Sequence, residues 1–259
     1  MELITVHPLD PEIVRAYVAV LQGDEPVPDG WRTWWTPALT AALDPARRGS
    51  ERAANQLTFG LAQVLTVQWP VYFQQGFGFT TWEARVDRGV GILLRPPSRL
   101  FVEAGLPESV ARAMPIRLDL QQGMMGGAWI PARLVPDLER QLDTRLERTA
   151  RRLHDGEFDP YAMLGLMLEA ATYARQQGLG LFEAMDVVGP GGEAIGGGTV
   201  VTPDRKRLAP TIQERIAEAI RPPKQPGLLA RMFGRKGHEV FSSNGKTPPP
   251  SDVTPFEPE

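Results

Sequence analysis

The sequence predicts an α+β protein, and three observations carry that expectation. Proline-marked helix starts recur along the chain, a stretch of period-two alternation lies between residues 80 and 135, and two strongly patterned helical segments follow it. Asp10-Pro11, Thr36-Pro37 and Asp159-Pro160 each put a side-chain oxygen just before a proline. The missing N–H of that proline costs nothing in a first helical turn, and the preceding oxygen accepts a bond from a free one. The first helix is expected to run to about Leu21 with Gly23 as its cap, and Ser50 to open another through Ala53, Ala54, Leu57 and Leu61 to about Leu65.

Between residues 80 and 135 the sequence predicts an antiparallel meander. Trp82, Ala84 and Val86 alternate with charged residues, Asp87-Arg88-Gly89 supplies a turn, and Val90, Ile92 and Leu94 resume the alternation. Leu100 to Ala104 reads as a third strand and Pro107 to Ala113 as a short helix. Ile116, Leu118 and Leu120 read as a fourth strand, followed by a glycine-containing turn at 123–127 and a strand from Ala128 to Pro131. Short links imply antiparallel neighbours with helices on one face of the sheet. The meander packs against several helices, including an antiparallel helical hairpin over about 136–177. Its first arm carries the stripe Leu138, Leu142, Leu146, Ala150 and Leu153, and its second, 159–177 capped by Gly178, is apolar almost all round. The glycines at 189–198 read as a hairpin ending at Thr199-Val200-Val201, with a last helix from Thr211 to Ile220.

Residues 1–220 are therefore expected to form one globular domain. Residues 221–259, dense in Pro, Gly, Ser and Lys, read as a disordered tail. Within that tail, 227–237 carries a short basic amphipathic motif. Leu228, Leu229, Met232 and Phe233 share a helical face beside Arg231, Arg235 and Lys236.

Function is bounded mainly by exclusion. With 28 basic and 31 acidic residues the net charge is −3, which offers no overall field for a phosphate backbone, so no specific nucleic-acid partner is expected. The chain has no cysteine, which removes thiolate nucleophiles, thiolate metal ligands and disulfides. An acidic, proline-containing start lacks the pattern of a secretory signal, and the expected setting is the cytoplasm. The glycine runs at 189–192 and 196–198 lack the Lys-Ser/Thr that a phosphate loop needs, and no Gly-x-Ser-x-Gly is present. His154, Asp155, Glu157 and Asp159 lie in one turn, but their spacing fits no metal template and Asp159 is needed as a cap. No catalytic residue, metal site or cofactor is assigned.

The leading expectation is a protein-interaction or scaffold role, with another protein docking on the tail through Leu228, Leu229, Arg231, Met232, Phe233, Arg235 and Lys236. The rival is a small-molecule binder or enzyme that uses the aromatic segment 69–82, with Trp69 and Tyr72, beside a charged sheet face bearing Arg85, Glu103, Arg117 and Asp119. A weak contact of the tail with an anionic membrane is a third reading. Glu169, the lone acid of the last apolar helix, lines up with Gly165, Thr172 and Gln176 as a narrow polar stripe.

Overall fold

The computed structural model describes residues 3–222, so the tail and its docking motif lie outside the described residues. In chain order the elements are β1 (Ile4–Leu9), α1 (Pro11–Gln22), α2 (Pro37–Ala41), α3 (Leu43–Arg47) and α4 (Glu51–Gln68). Next come β2 (Val71–Phe73), α5 (Phe79–Arg85), α6 (Pro97–Glu103), α7 (Glu108–Ala111) and β3 (Met125–Ile130). The series closes with α8 (Val135–Thr144), α9 (Leu146–Asp155), α10 (Pro160–Gln177), β4 (Gly180–Met185), β5 (Val200–Val201) and α11 (Pro210–Ala219). The class is α+β, with a five-stranded mixed sheet in the order β3-β4-β1-β2-β5. Only the β2–β5 pair is parallel.

The helix punctuation read from the sequence has a direct physical basis. The Asp10 carboxylate accepts from the Glu12 N–H at 2.9 Å, and the Asp159 carboxylate from Tyr161 and Ala162 at 2.9 and 3.3 Å. Gly23 and Gly178 take left-handed caps at φ 81° and 69°. Ser50 caps α4, which continues to Gln68, one turn past the expected end.

The meander does not form. Residues 79–85 are helical because Phe79, Trp82 and Val86 repeat at helical spacing and all three are buried, so the apparent alternation was one face of a helix. Leu100 to Glu103 lies in α6, opened by Pro96-Pro97 and burying Leu100 and Phe101. Residues 116–120 are irregular: Ile116 is exposed, and only Leu118 turns inward, onto Ile4, Met125 and Met185. Of the meander only its last strand exists, and it begins three residues early, at Met125. The expected first arm of the helical hairpin is also interrupted. Arg145, at φ −114°, separates α8 from α9 and sends its guanidinium to Asp87 at 2.9 Å. Both pieces still pack on α10.

Helices cover both faces of the sheet, not one. Phe182, Ala184 and Leu9 join the core with α1 and α4, while Val6, Leu181 and Ile130 join the core with α5, α8, α9 and α10. Every residue of β1, β3 and β4 is therefore buried, which erases the in–out alternation by which a strand is recognised. In the 189–198 segment a bridge joins Val188 to Ala194, but β5 then pairs alongside β2. Gly198 sits so tightly on the last turn of α4 that a Cβ there would overlap the Thr66 carbonyl oxygen. Among the described residues no helix is long and apolar enough to cross a membrane.

One buried histidine makes the central strands sensitive to acid. The Thr5 hydroxyl donates to the Ala184 carbonyl at 3.2 Å and lies 2.7 Å from His7 Nε2. That arrangement places the ring proton on Nε2 and leaves Nδ1 without a donor among the described residues. Burial drives the His7 pKa down from 6.5 to about 3. A depressed histidine contributes stability that is complete above the unfolded pKa and is lost as pH falls from 6.5 toward 3. Its part of the unfolding free energy should drop by about 2 kcal/mol between pH 7 and 5. Denaturant titrations at the two pH values check this: His7→Gln should flatten that part of the pH slope, whereas an unchanged slope would exclude His7 as its source.

Candidate functional site

A groove of about 650 Å³ runs along the outward face of α4, walled by α2 and the loop before β3. Ser50 fixes where α4 starts, and Arg52, Asn55, Gln56, Phe59 and Gln63 then recur at helical spacing along the wall. Trp34 and Leu39 close one side and Gln122, Gly123 and Met124 the other. Arg52 is the one charged side chain among the lining residues, and four of the others are carboxamides.

The loop that forms the far wall is held in an unusual conformation. Met124 adopts φ 46° with its side chain exposed, next to Gly123 at φ 63°. Met124 N–H donates to Asp186 Oδ2 at 3.1 Å, and Asp186 is itself left-handed at φ 62°. Met124 and Asp186, joined by that hydrogen bond, each cost energy in this region that the surroundings must supply, and such outliers concentrate at ligand clamps. A further tie crosses the groove: Asn55 Nδ2 donates to Gln122 Oε1 at 2.6 Å. Asn55 is buried, yet its own Oδ1 receives no bond from any described residue. Beyond this bridge lies a smaller depression of about 290 Å³, lined by Glu51, Arg112 and Asp119. On the near wall, the Trp34 indole N–H is buried without an acceptor among the described residues.

The residues proposed from sequence do not converge. Trp69 is half-buried between the two cores and lines none of these concavities, its indole N–H without an acceptor among the described residues. Tyr72 borders a separate cavity of about 390 Å³ on the α10 side. Arg85 borders another depression, with Gln74, Glu157 and Phe158. Glu103 stands exposed on α6 and pairs with Arg99 at 2.9 Å, and Arg117 pairs with Glu83 at 2.7 Å. Asp119 alone reaches the margin of the α4 groove. No charged sheet face exists to gather them, because residues 85, 103, 117 and 119 lie in helices and loops. Phe77, Phe79 and Trp82 fill the core, so the aromatic wall of the groove comes from the earlier tryptophan cluster instead. In that cluster Trp31 and Trp35 stack at 6.1 Å, and Trp34, tilted against both, also lines the groove.

The groove carboxamides were legible in one respect. The sequence predicts the helix that starts at Ser50, and 52, 55, 56, 59 and 63 share one of its faces, but nothing local marks that face as a groove wall. Gln122 and Met124 are positioned by tertiary contacts and left no local signal. Comparison with protein-family models, curated proteins and solved structures finds no match for this chain. Among the described residues no group of three His, Asp or Glu side chains is placed to hold a metal ion.

Replacing Met124 with glycine should relieve the left-handed strain and raise stability by about 1 kcal/mol. Chemical denaturation of the Met124→Gly variant measures it; a loss of stability would mean that Met124 is held by packing and not by its loop.

Proposed function

We propose that this chain is a protein-interaction module whose α4 groove takes an extended peptide segment of a partner. The observation that carries the reading is the lining: four carboxamides, two aromatic rings and one methionine around a single charge. A carboxamide offers donors and an acceptor in the same pattern as a peptide group, so a row of them suits a main chain without demanding a charged sequence. Aromatic residues and methionine are enriched in interface cores, where charge is depleted, and an unbranched methionine adapts to different side chains. A groove of this volume lies in the range that holds ligands well. The unpaired Asn55 Oδ1 adds an acceptor at its wall. The motif at 227–237 is proposed as a second contact for the same class of partner, and the cytoplasm is the expected setting on the sequence grounds given above.

Panning a displayed library of random peptides on the protein tests the groove. Enriched peptides should bind the Gln56→Ala, Gln63→Ala double variant at least about tenfold more weakly, a loss of about 1.4 kcal/mol, with its melting temperature unchanged. Failure to enrich any peptide, or equal binding to the double variant, would contradict the proposal. Equal binding by the full chain and a chain ending at Ile220 would remove the tail from it.

A further inference from the structure

The cavity on the α10 side is lined by side chains chemically different from those of the α4 groove. Its lining includes the polar stripe of α10, Gly165, Glu169, Thr172 and Gln176, which lies on the flank of the helix away from its buried residues. Tyr72 of β2 closes the inner end. Its ring is 2% exposed, and its hydroxyl makes no hydrogen bond to any described residue, so the phenol is offered to the cavity. The hydroxyl is not among the enclosed unpartnered atoms, so it meets solvent in the cavity, where a ligand acceptor can replace water on it.

The charge around it is lopsided. Glu169 Oε1 pairs with Arg207 Nη1 at 3.0 Å, and Arg207 also donates to the Thr202 carbonyl, so the guanidinium is already engaged. Asp204 caps the Lys206 N–H at 2.9 Å through Oδ1. The second oxygens of Glu169 and Asp204 receive nothing from the described residues, leaving two carboxylates against one satisfied cation. Burial raises the Glu169 pKa, Arg207 opposes that and Asp204 reinforces it. Burial and then the nearby Glu169 likewise hold the Tyr72 phenol in its protonated, donating form. Burial is the larger cause of both shifts; the surplus negative charge enters through the smaller ones, Asp204 on Glu169 and Glu169 on Tyr72. Tyr173, its ring 6.4 Å from that of Tyr72, gives a cation a second aromatic neighbour.

We propose that this cavity, of about 390 Å³, binds a small organic amine, with its ammonium group against Glu169 and Asp204 and a hydrogen-bond acceptor on the Tyr72 hydroxyl. An anion is disfavoured, because Arg207, the one guanidinium lining the cavity among the described residues, is spent on Glu169 and Thr202. The apolar remainder of the wall, Leu168, Leu208 and Ile212, suits a compact hydrocarbon or aromatic body.

Three probes of one shape separate the possibilities: tyramine, the uncharged 4-ethylphenol and the anionic 4-hydroxyphenylacetate. Each carries the same phenol, and ligand-observed NMR titration on the full chain reads their affinities. Tyramine should bind at least tenfold more tightly than 4-ethylphenol, and 4-hydroxyphenylacetate should not bind. Tyr72→Phe should weaken tyramine several-fold while leaving the preference for the amine, and Glu169→Gln should abolish that preference. Equal binding of the three probes, no binding of tyramine at millimolar concentration, or tyramine binding that neither variant alters would each overturn the proposal. The α4 groove shares no lining residue with this cavity, so the two proposals stand or fall separately.

Discussion

The carboxylate of Glu183 is the point on which the middle of the molecule turns. It sits fully buried on β4, opposite Val6, and accepts from the Thr80 N–H at 2.9 Å, from the Thr80 hydroxyl and from the Ala128 N–H at 3.1 Å. Thr80 lies in the first turn of α5, where backbone N–H groups lack helical partners. Ala128 lies in a bulge of β3, where Gly127 and Ala128 together oppose the single residue Glu183 and one N–H is freed from the ladder. One acid thus satisfies two segments that would otherwise bury unpaired donors. Burial raises its pKa, and the bonds from Thr80, Ala128 and Phe79 pull it back toward the ionised form. Gly127 belongs to the same device, since a Cβ there would stand 2.8 Å from Glu183 Oε1.

Much else follows from where this anchor puts the chain. With β3 locked against β4, the loop before it is delivered to the outer side of α4, and Met124 is fixed there by Asp186 just past the end of β4. The opposite face of the sheet receives α10, whose partly exposed flank includes the Gly165–Gln176 stripe. A sheet covered on both faces has no open surface of its own. Both candidate sites are therefore built on the outward sides of its covering helices.

Sequence disclosed what local chemistry decides. Caps at Asp10, Ser50 and Asp159 and the left-handed glycines at 23 and 178 act within a turn or two, and those helices start where expected. The α+β class followed from them. The strands were hidden for the opposite reason, because β1 and β4 are buried on both faces and show no period of two. The segment 80–135 misled because Trp82, Ala84 and Val86 fit a strand as well as a helix. What decides between them is a carboxylate about a hundred residues away in the chain, with Thr80 and Glu183 separated by 103 positions. The same distance hid the groove: Asn55 and Gln122 meet only after folding, whereas the Glu169 stripe, confined to one helix, was readable as a stripe though not as a cavity wall.

A buried carboxylate is often a burden, and replacing one with an apolar side chain of similar size frequently leaves stability unchanged or improves it. Glu183 differs if its role is to satisfy donors that remain when it is gone. The direct measurement is the unfolding free energy of Glu183→Met, which keeps the length and apolar fit but offers no oxygen. If the carboxylate organises α5 and the β3 bulge, the variant loses at least about 2 kcal/mol, since one buried donor and two partly buried ones are orphaned, at about 1–3 kcal/mol for a buried one and less for the others. A variant as stable as the parent, or more so, would contradict that role.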